Sequence, residues 1–384
     1  MHAPLRVLVG SLGPGMLPDA AAEPPAGTVL LDLGPDHPGG TGLLDLQLWT
    51  EDDRVTRAEV TVGALHRGAE KLFEVRDYRQ IGMLADRHDW QAPFFGELGV
   101  ALLGEQLLGL EVPERATWLR TLLAEHTRLL SHLGHLARAA SRLPAPVDLH
   151  PLRELLRRQT LRLTGNRIHP MVARIGGLTV DADGSWLTEE RRLAVEAARL
   201  GEQLAPTLAT LPEAQGLAVL APHLVPGYGL SGPVARASGV GLDLRSSAPA
   251  LAYPALADLL APSPWTAGDA AARSATLAHE LTVSAALVEA CADRLPAVAG
   301  PVAVRLGKIV KLPEGEGYLA LEAPLGIAGF FVVSRGEKTP WRLALRTPSF
   351  SNVCALETLL VGVPVTGLET ALASIGYVVG DLDR

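Results

Sequence analysis

The sequence predicts an α+β fold: a mainly helical bundle core with small antiparallel β elements near the N-terminus and in the C-terminal region. Three observations carry that expectation. Leu44, Leu46 and Leu48 alternate with Asp45 and Gln47, and Ala58, Val60 and Val62 alternate with Glu59 and Thr61. Such a period of two marks half-buried strands. Between them and Val302 the apolar residues recur at helical spacing, and after Val302 the period returns to two.

Taken in order, Met1 to Gly27 holds a short apolar run and then Pro18-Asp-Ala-Ala-Ala-Glu-Pro-Pro-Ala-Gly27. Its basic region is weak, so it reads as a disordered leader rather than a signal peptide, leaving 28–384 as the folded domain. The two strands flank Glu51-Asp52-Asp53, which makes a hairpin the simplest pairing. A polar cluster of His66, Arg67, Glu70 and Lys71 follows where the next helix begins. Helices are expected over Ala92–Leu110, Pro113–Leu143, Leu152–Leu163, Thr188–Leu211 and Asp269–Arg294. Pro113 and Glu114 suit the first turn of the second of these, whose leucines fall on one face. His132 and His135 are neighbours on that helix. No Glu or Cys joins them at ligand spacing, so no metal site is assigned. Residues 212–267 are loop-rich, with eight prolines. Strands return at Tyr318–Pro324, Gly329–Ser334 and Trp341–Arg346, the last two joined by Arg335–Pro340, and a final helix runs from about Val353 to Leu360.

Composition narrows the function. A net charge of −8 gives no support to nucleic-acid binding. Cys291 and Cys354 are far apart and read as two reduced thiols. No apolar run reaches the ~20 residues of a membrane helix, so any membrane association comes through partners. Gly227-Tyr-Gly-Leu-Ser-Gly232 has the letters of a dinucleotide loop but lies in the Pro-rich stretch after no strand.

Gly34-Pro-Asp-His-Pro38 followed by His66-Arg-Gly-Ala-Glu-Lys-Leu72 resembles the D-subunit family of NADH-quinone oxidoreductases (respiratory complex I), whose fold is shared with [NiFe] hydrogenase large subunits. Further segments are similar in order: Arg174-Ile-Gly-Gly177, Gly232–Gly239, Asp243-Leu-Arg245, Glu322-Ala-Pro, Arg346–Asn352 and the ending Ser374–Arg384. The resemblance implies a peripheral subunit on the cytoplasmic face of a bacterial inner membrane. Its partners would be an iron–sulfur subunit, other hydrophilic-arm subunits and membrane subunits. The chain would carry no cofactor of its own, with the iron–sulfur cluster in the partner and quinone as the substrate between them. His37, His66 and Arg67 would face the partner and its cluster. Arg67, Arg174 and Arg236 read equally well as interior arginines paired with carboxylates.

The chain departs from the pattern at the acceptor site. The family's quinone-binding His, Tyr and Asp correspond to Thr41, Leu84 and Arg142. Thr41 can hydrogen-bond but holds no proton to transfer near neutral pH, Leu84 can do neither, and Arg142 reverses the charge. His88, inside Asp86-Arg87-His88-Asp89, is the candidate substitute proton donor. A nickel–iron centre needs two C-x-x-C pairs; Asp89 and Ala92 stand where the first would lie, so that chemistry is excluded. A non-catalytic scaffold in a divergent, energy-converting hydrogenase-related complex is the alternative reading.

Overall fold

The computed structural model describes residues 4–10, 28–31, 44–248 and 250–384. The chain begins with a sheet of order β2-β1-β3-β4. β1 (Leu5–Val9) runs parallel to β2 (Thr28–Leu31) and antiparallel to β3 (Leu44–Glu51), which forms a hairpin with β4 (Arg54–Thr61). Leu44, Leu46 and Leu48 are fully buried, as the alternation predicts. Asp52 and Asp53 make the turn with φ of 48° and 61°, a conformation that short acidic side chains tolerate. The leader expectation fails at its start. Leu5–Val9 is a strand whose Val7 and Val9 are buried, because a β-rich apolar run beside the hairpin edge gains both a ladder and a core face. The rest of that expected leader, residues 11–27, lies outside the described residues.

The helical region begins with α1 (Ala69–Phe73), α2 (Tyr78–Ala85), α3 (Pro93–Leu108), α4 (Glu114–Ser141) and α5 (His150–Thr164). A two-residue ribbon, β5 (Ala173–Arg174) and β6 (Gly177–Leu178), leads to α6 (Gly184–Ala209). The Pro-rich stretch is more ordered than its sequence suggests. It holds α7 (Leu224–Tyr228), α8 (Gly232–Arg236), α9 (Leu244–Ser247) and a 3-10 segment, Tyr253–Leu259. Gly232 does open a helix, contrary to its loop reading, but that helix follows α7 rather than a strand. The bundle is completed by α10 (Ala270–Arg294), which packs along α6 and α4. Asp77, Asp183 and Asp269 cap α2, α6 and α10 through side-chain bonds to backbone amides, each worth roughly 1 kcal/mol.

A second antiparallel sheet, β7 (Gly315–Ala323), β8 (Gly326–Ser334) and β9 (Arg342–Arg346), follows. The chain ends with α11 (Pro348–Cys354), α12 (Leu356–Leu359), α13 (Leu368–Ala373) and α14 (Val379–Leu382). The helix expected at Val353 thus starts five residues earlier, at Pro348, a favoured first-turn residue.

Ion pairs are buried between these elements. Arg120 donates two hydrogen bonds to Glu105, at 2.7 and 2.9 Å. Arg236 reaches Glu280 at 2.9 Å and Glu322 at 2.7 Å, and Glu125 receives Ser284 at 2.7 Å and Tyr253 at 2.5 Å. The interior reading of the three arginines therefore holds for Arg236. Arg174 is half-buried against the Ala173 carbonyl, and Arg67 is exposed.

Candidate functional site

Three segments meet at the C-terminus: the loop before α1, the turn after α2, and α14. The Asp383 carboxylate accepts from the backbone amides of Gly63 and Leu65, both at 2.7 Å. His66 Nδ1 lies 3.1 Å from the Asp383 carbonyl. Asp381 accepts from the Ser349 amide at 3.2 Å, and its other oxygen is 3.0 Å from His88 Nδ1. Gly380 makes the approach possible. A Cβ there would stand 2.2 Å from the Trp90 ring and 2.5 Å from the His88 carbonyl, closer than any real contact.

His88, Asp89 and Asp381 are all buried. With Nδ1 facing Asp381, His88 leaves Nε2 buried without a hydrogen-bond partner among the described residues. As imidazolium it would donate to Asp381 and keep a second N–H, at Nε2, free to transfer. Burial pushes the Asp89 carboxyl up to about 7 and the neighbouring Asp381 charge adds to this, while His88 and the amides of Gln91 and Ala92 oppose it. Those amides are each 3.0 Å from Asp89 Oδ1. A histidine beside a carboxyl that changes charge near neutral pH can supply and accept protons.

Next to this cluster lies Asp86, whose Oδ1 is 2.8 Å from Arg87 Nε and 3.6 Å from His169 Nδ1. Gly96 fits α3 onto the end of α2 so tightly that a Cβ would be 1.9 Å from the Ala85 carbonyl oxygen. The following residue, Glu97, is fully buried. Burial pushes its carboxyl up to about 8; Asp86 adds, and the Val172 and Ala173 amides and Arg174 oppose.

The sequence-predicted residues are only partly brought together. His66 and His88 contact the C-terminal segment, and exposed Arg67 joins them by a 3.3 Å bond to the Arg87 carbonyl. Leu84 is half-buried on the last turn of α2, packed against the core. Arg142 caps α4 and pairs with Glu369, which Arg138 also binds, so its charge is engaged away from the His88 cluster. Thr41 and His37 lie outside the described residues. Glu70 and Lys71 part company: Glu70 binds the Leu345 amide at 2.8 Å and pairs with Arg342 and Arg384, while Lys71 pairs with Glu74. His132 Nε2 turns to Glu280 at 3.0 Å and His135 Nδ1 to the Ser131 carbonyl at 2.8 Å, so the two share no ligand position.

Sequence reasoning missed Asp381, Asp383, Asp89 and Glu97. The signal for Glu97 was present, a lone carboxylate in the apolar run Pro93-Phe-Phe-Gly-Glu-Leu-Gly-Val-Ala-Leu-Leu103. A hydrogenase-type centre has no thiolates here: Cys291 is buried in α10 with its thiol pushed up by burial, and Cys354 closes α11.

The chain is similar in sequence and fold to known proteins. The family model described as "Respiratory-chain NADH dehydrogenase, 49 Kd subunit" matches residues 149–310 and 304–384. The chain is 46% identical over 363 residues to the second NADH-quinone oxidoreductase D-type subunit of Salinispora tropica, covering 93% of each. It is 45% identical to the first NADH-quinone oxidoreductase D-type subunit of Streptomyces coelicolor, covering 93% of this chain and 95% of that one. Among solved structures it resembles a chain of the membrane-bound sulfane sulfur reductase, an archaeal respiratory membrane complex. The TM-score is 0.81 at 30% identity, over 89% of this chain and 94% of that chain.

Proposed function

The chain belongs to the family of the respiratory-chain NADH dehydrogenase 49 kDa subunit, a component of multi-subunit respiratory membrane complexes, and from that premise we propose that it forms one wall of the electron-acceptor site of an NADH-quinone oxidoreductase. The acceptor is a quinone, held between this chain and an iron–sulfur subunit. The chain binds no redox cofactor of its own. It sits peripherally on the cytoplasmic side of the membrane through its partners; among the described residues no helix is long and apolar enough to cross a membrane.

The observation that supports this reading best is the unpaired Nε2 of buried His88, backed by Asp381 at 3.0 Å. Reduction of a quinone takes up two electrons and two protons. The electrons come from the partner's cluster, and the protons need donors within hydrogen-bond reach of the carbonyl oxygens. Leu84 and Thr41 offer none. His88 can give its Nε2 proton while Asp381 stabilises the imidazolium that precedes transfer, and Asp89, half-protonated near pH 7, can replenish it.

A second reading follows from the likeness to the sulfane sulfur reductase chain and from Leu84. Here the chain is a scaffold in a divergent complex whose acceptor is not a quinone. Photolabelling of the assembled complex with an azido-quinone separates the two. Labelled peptides from residues 62–68, 84–90 or 377–384, competed by unlabelled quinone, support the quinone site. Absence of competed label in this chain favours the scaffold.

A further inference from the structure

A cavity of about 380 Å3 lies between α2, α3, the β5–β6 ribbon and the segment 303–310. Val100, Ile175, Leu178 and Leu306 give it apolar walls, and Glu97 is the carboxylate that lines it. The Val172 and Ala173 amides approach Glu97, but neither of its oxygens meets a described donor in full hydrogen-bond geometry. At its rim stand exposed Arg79, whose guanidinium is tied to the Gly307 carbonyl at 2.5 Å, and exposed Met83. The volume is far above the ~10–15 Å3 that one water needs, and the Glu97 carboxyl, whose amide contacts are loose, supplies a polar partner that can hold water there.

The other end of Glu97 points the same way. The Gly96 contact sets Glu97 beside Asp86, which lies 3.6 Å from His169 and begins the turn that carries His88 and Asp89. Glu97 on the cavity wall, Asp86 whose charge acts on it, and His88 and Asp89 of the same turn are thus buried acids and bases on adjoining segments. We propose that this cavity is a water-filled proton inlet and that Glu97 is its loading group, passing protons across Asp86 toward His88, Asp89 and Asp381. The step is proton transfer alone. The Glu97 carboxylate takes a proton from cavity water and gives it to the next base, and no electron passes through these residues. Its surroundings suit that role. Tyr78 and Arg79 face the cavity from α2 and Arg174 from β5, the Asp86 charge acts on Glu97 from the turn outside the cavity, and burial leaves the Glu97 carboxyl pushed up to about 8.

The destination of the protons rests on the acceptor site proposed above, but the test does not. Redox-difference infrared spectra of the assembled complex, reduced with dithionite and without added quinone, should show a protonated-carboxyl C=O band that changes on reduction. It should be lost in Glu97→Gln and shifted in Glu97→Asp. In parallel, reduction of a short-chain ubiquinone by NADH should fall at least tenfold in Glu97→Gln, lose its decline near pH 8, and recover in part in Glu97→Asp. Should Glu97→Gln fail to assemble, Glu97→Asp alone decides through its shifted band. An assembled Glu97→Gln complex with the wild-type band and pH profile overturns the inlet, as does a wild-type complex with no such band. A complex that shows the Glu97 band yet reduces no quinone overturns the acceptor reading and leaves the inlet standing.

Discussion

Replacing Arg236 by Met removes the only cation that touches both Glu280 and Glu322 among the described residues, with little change in volume. The guanidinium donates to Glu280 Oε1 at 2.9 Å, to Glu322 Oε1 at 2.7 Å and to the Leu242 carbonyl at 3.0 Å, all in the interior. What remains is weak compensation. Glu280 keeps His132 Nε2 at 3.0 Å, and Glu322 keeps the Leu244 amide at 3.0 Å. Removing one partner of a buried pair costs roughly 3–5 kcal/mol, because the other charge stays uncompensated. We expect a loss of that size at about pH 8, read from urea unfolding of the purified subunit. The loss should depend on pH with a definite sign. Burial alone would raise the Glu280 carboxyl, but Arg236, His132 and Arg245 outweigh it and hold it well below its usual value. In the wild type this contribution is present above the unfolded-state pKa and fades as pH falls through the lower folded value. Without Arg236 the folded-state pKa rises, so protonation rescues the variant and its deficit narrows towards about pH 5. Adding Glu280→Gln and Glu322→Gln should recover part of the loss at pH 8. A deficit below about 1 kcal/mol, or one independent of pH, would refute the claim that this pair of carboxylates is held by Arg236.

Gly380→Ala should cost at least the roughly 1–3 kcal/mol of overpacking, since the added Cβ meets the Trp90 ring and the His88 backbone, and thermal unfolding measures it. Asp89 and Glu97 both have folded-state pKa values above the ordinary carboxylate range, so the native state binds the extra protons. Their contribution is full below the unfolded-state pKa and is lost as pH rises through about 7 and about 8; Asp89→Asn and Glu97→Gln should each flatten the alkaline fall in the unfolding midpoint. Arg67→Ala should change the stability of the subunit by less than about 0.5 kcal/mol, because its bond to the Arg87 carbonyl is long and exposed. In the proposed complex we expect it to lower the potential of the partner's iron–sulfur cluster or weaken assembly, and a redox titration by electron paramagnetic resonance distinguishes either from no effect.

Much of the fold was legible because its signals are local. The Leu44–Leu48 alternation gave the first hairpin, and the leucine face of Pro113–Leu143 gave α4 to within two residues at each end. Leu5–Val9 was missed because a five-residue stretch interrupted by Arg6 and followed by Gly10 and Ser11 carries no sign of the partner strand it needs. Between residues 212 and 267, helices of four and five residues span little more than one 3.6-residue turn, so no apolar repeat can show itself. The site was legible only in its ingredients. His66, Arg67 and His88 stood out, yet His88 meets Asp381 across 293 residues of sequence, and no periodicity specifies such a pair. Arg142 is the reverse case: nothing in the sequence hinted at its partner, and in the fold its guanidinium pairs with Glu369, 227 residues away.

The most direct measurement is NADH-driven quinone reduction by the assembled complex with and without His88→Ala. Assembly is checked by subunit stoichiometry and the cluster spectrum. We expect robust activity in the wild type and a loss of about 10²–10⁴-fold in His88→Ala, with cluster reduction by NADH unchanged, because only the proton donor is gone. Wild-type activity that survives His88→Ala undiminished would contradict the assignment of His88, Asp89 and Asp381 as the proton-donating side of the acceptor site.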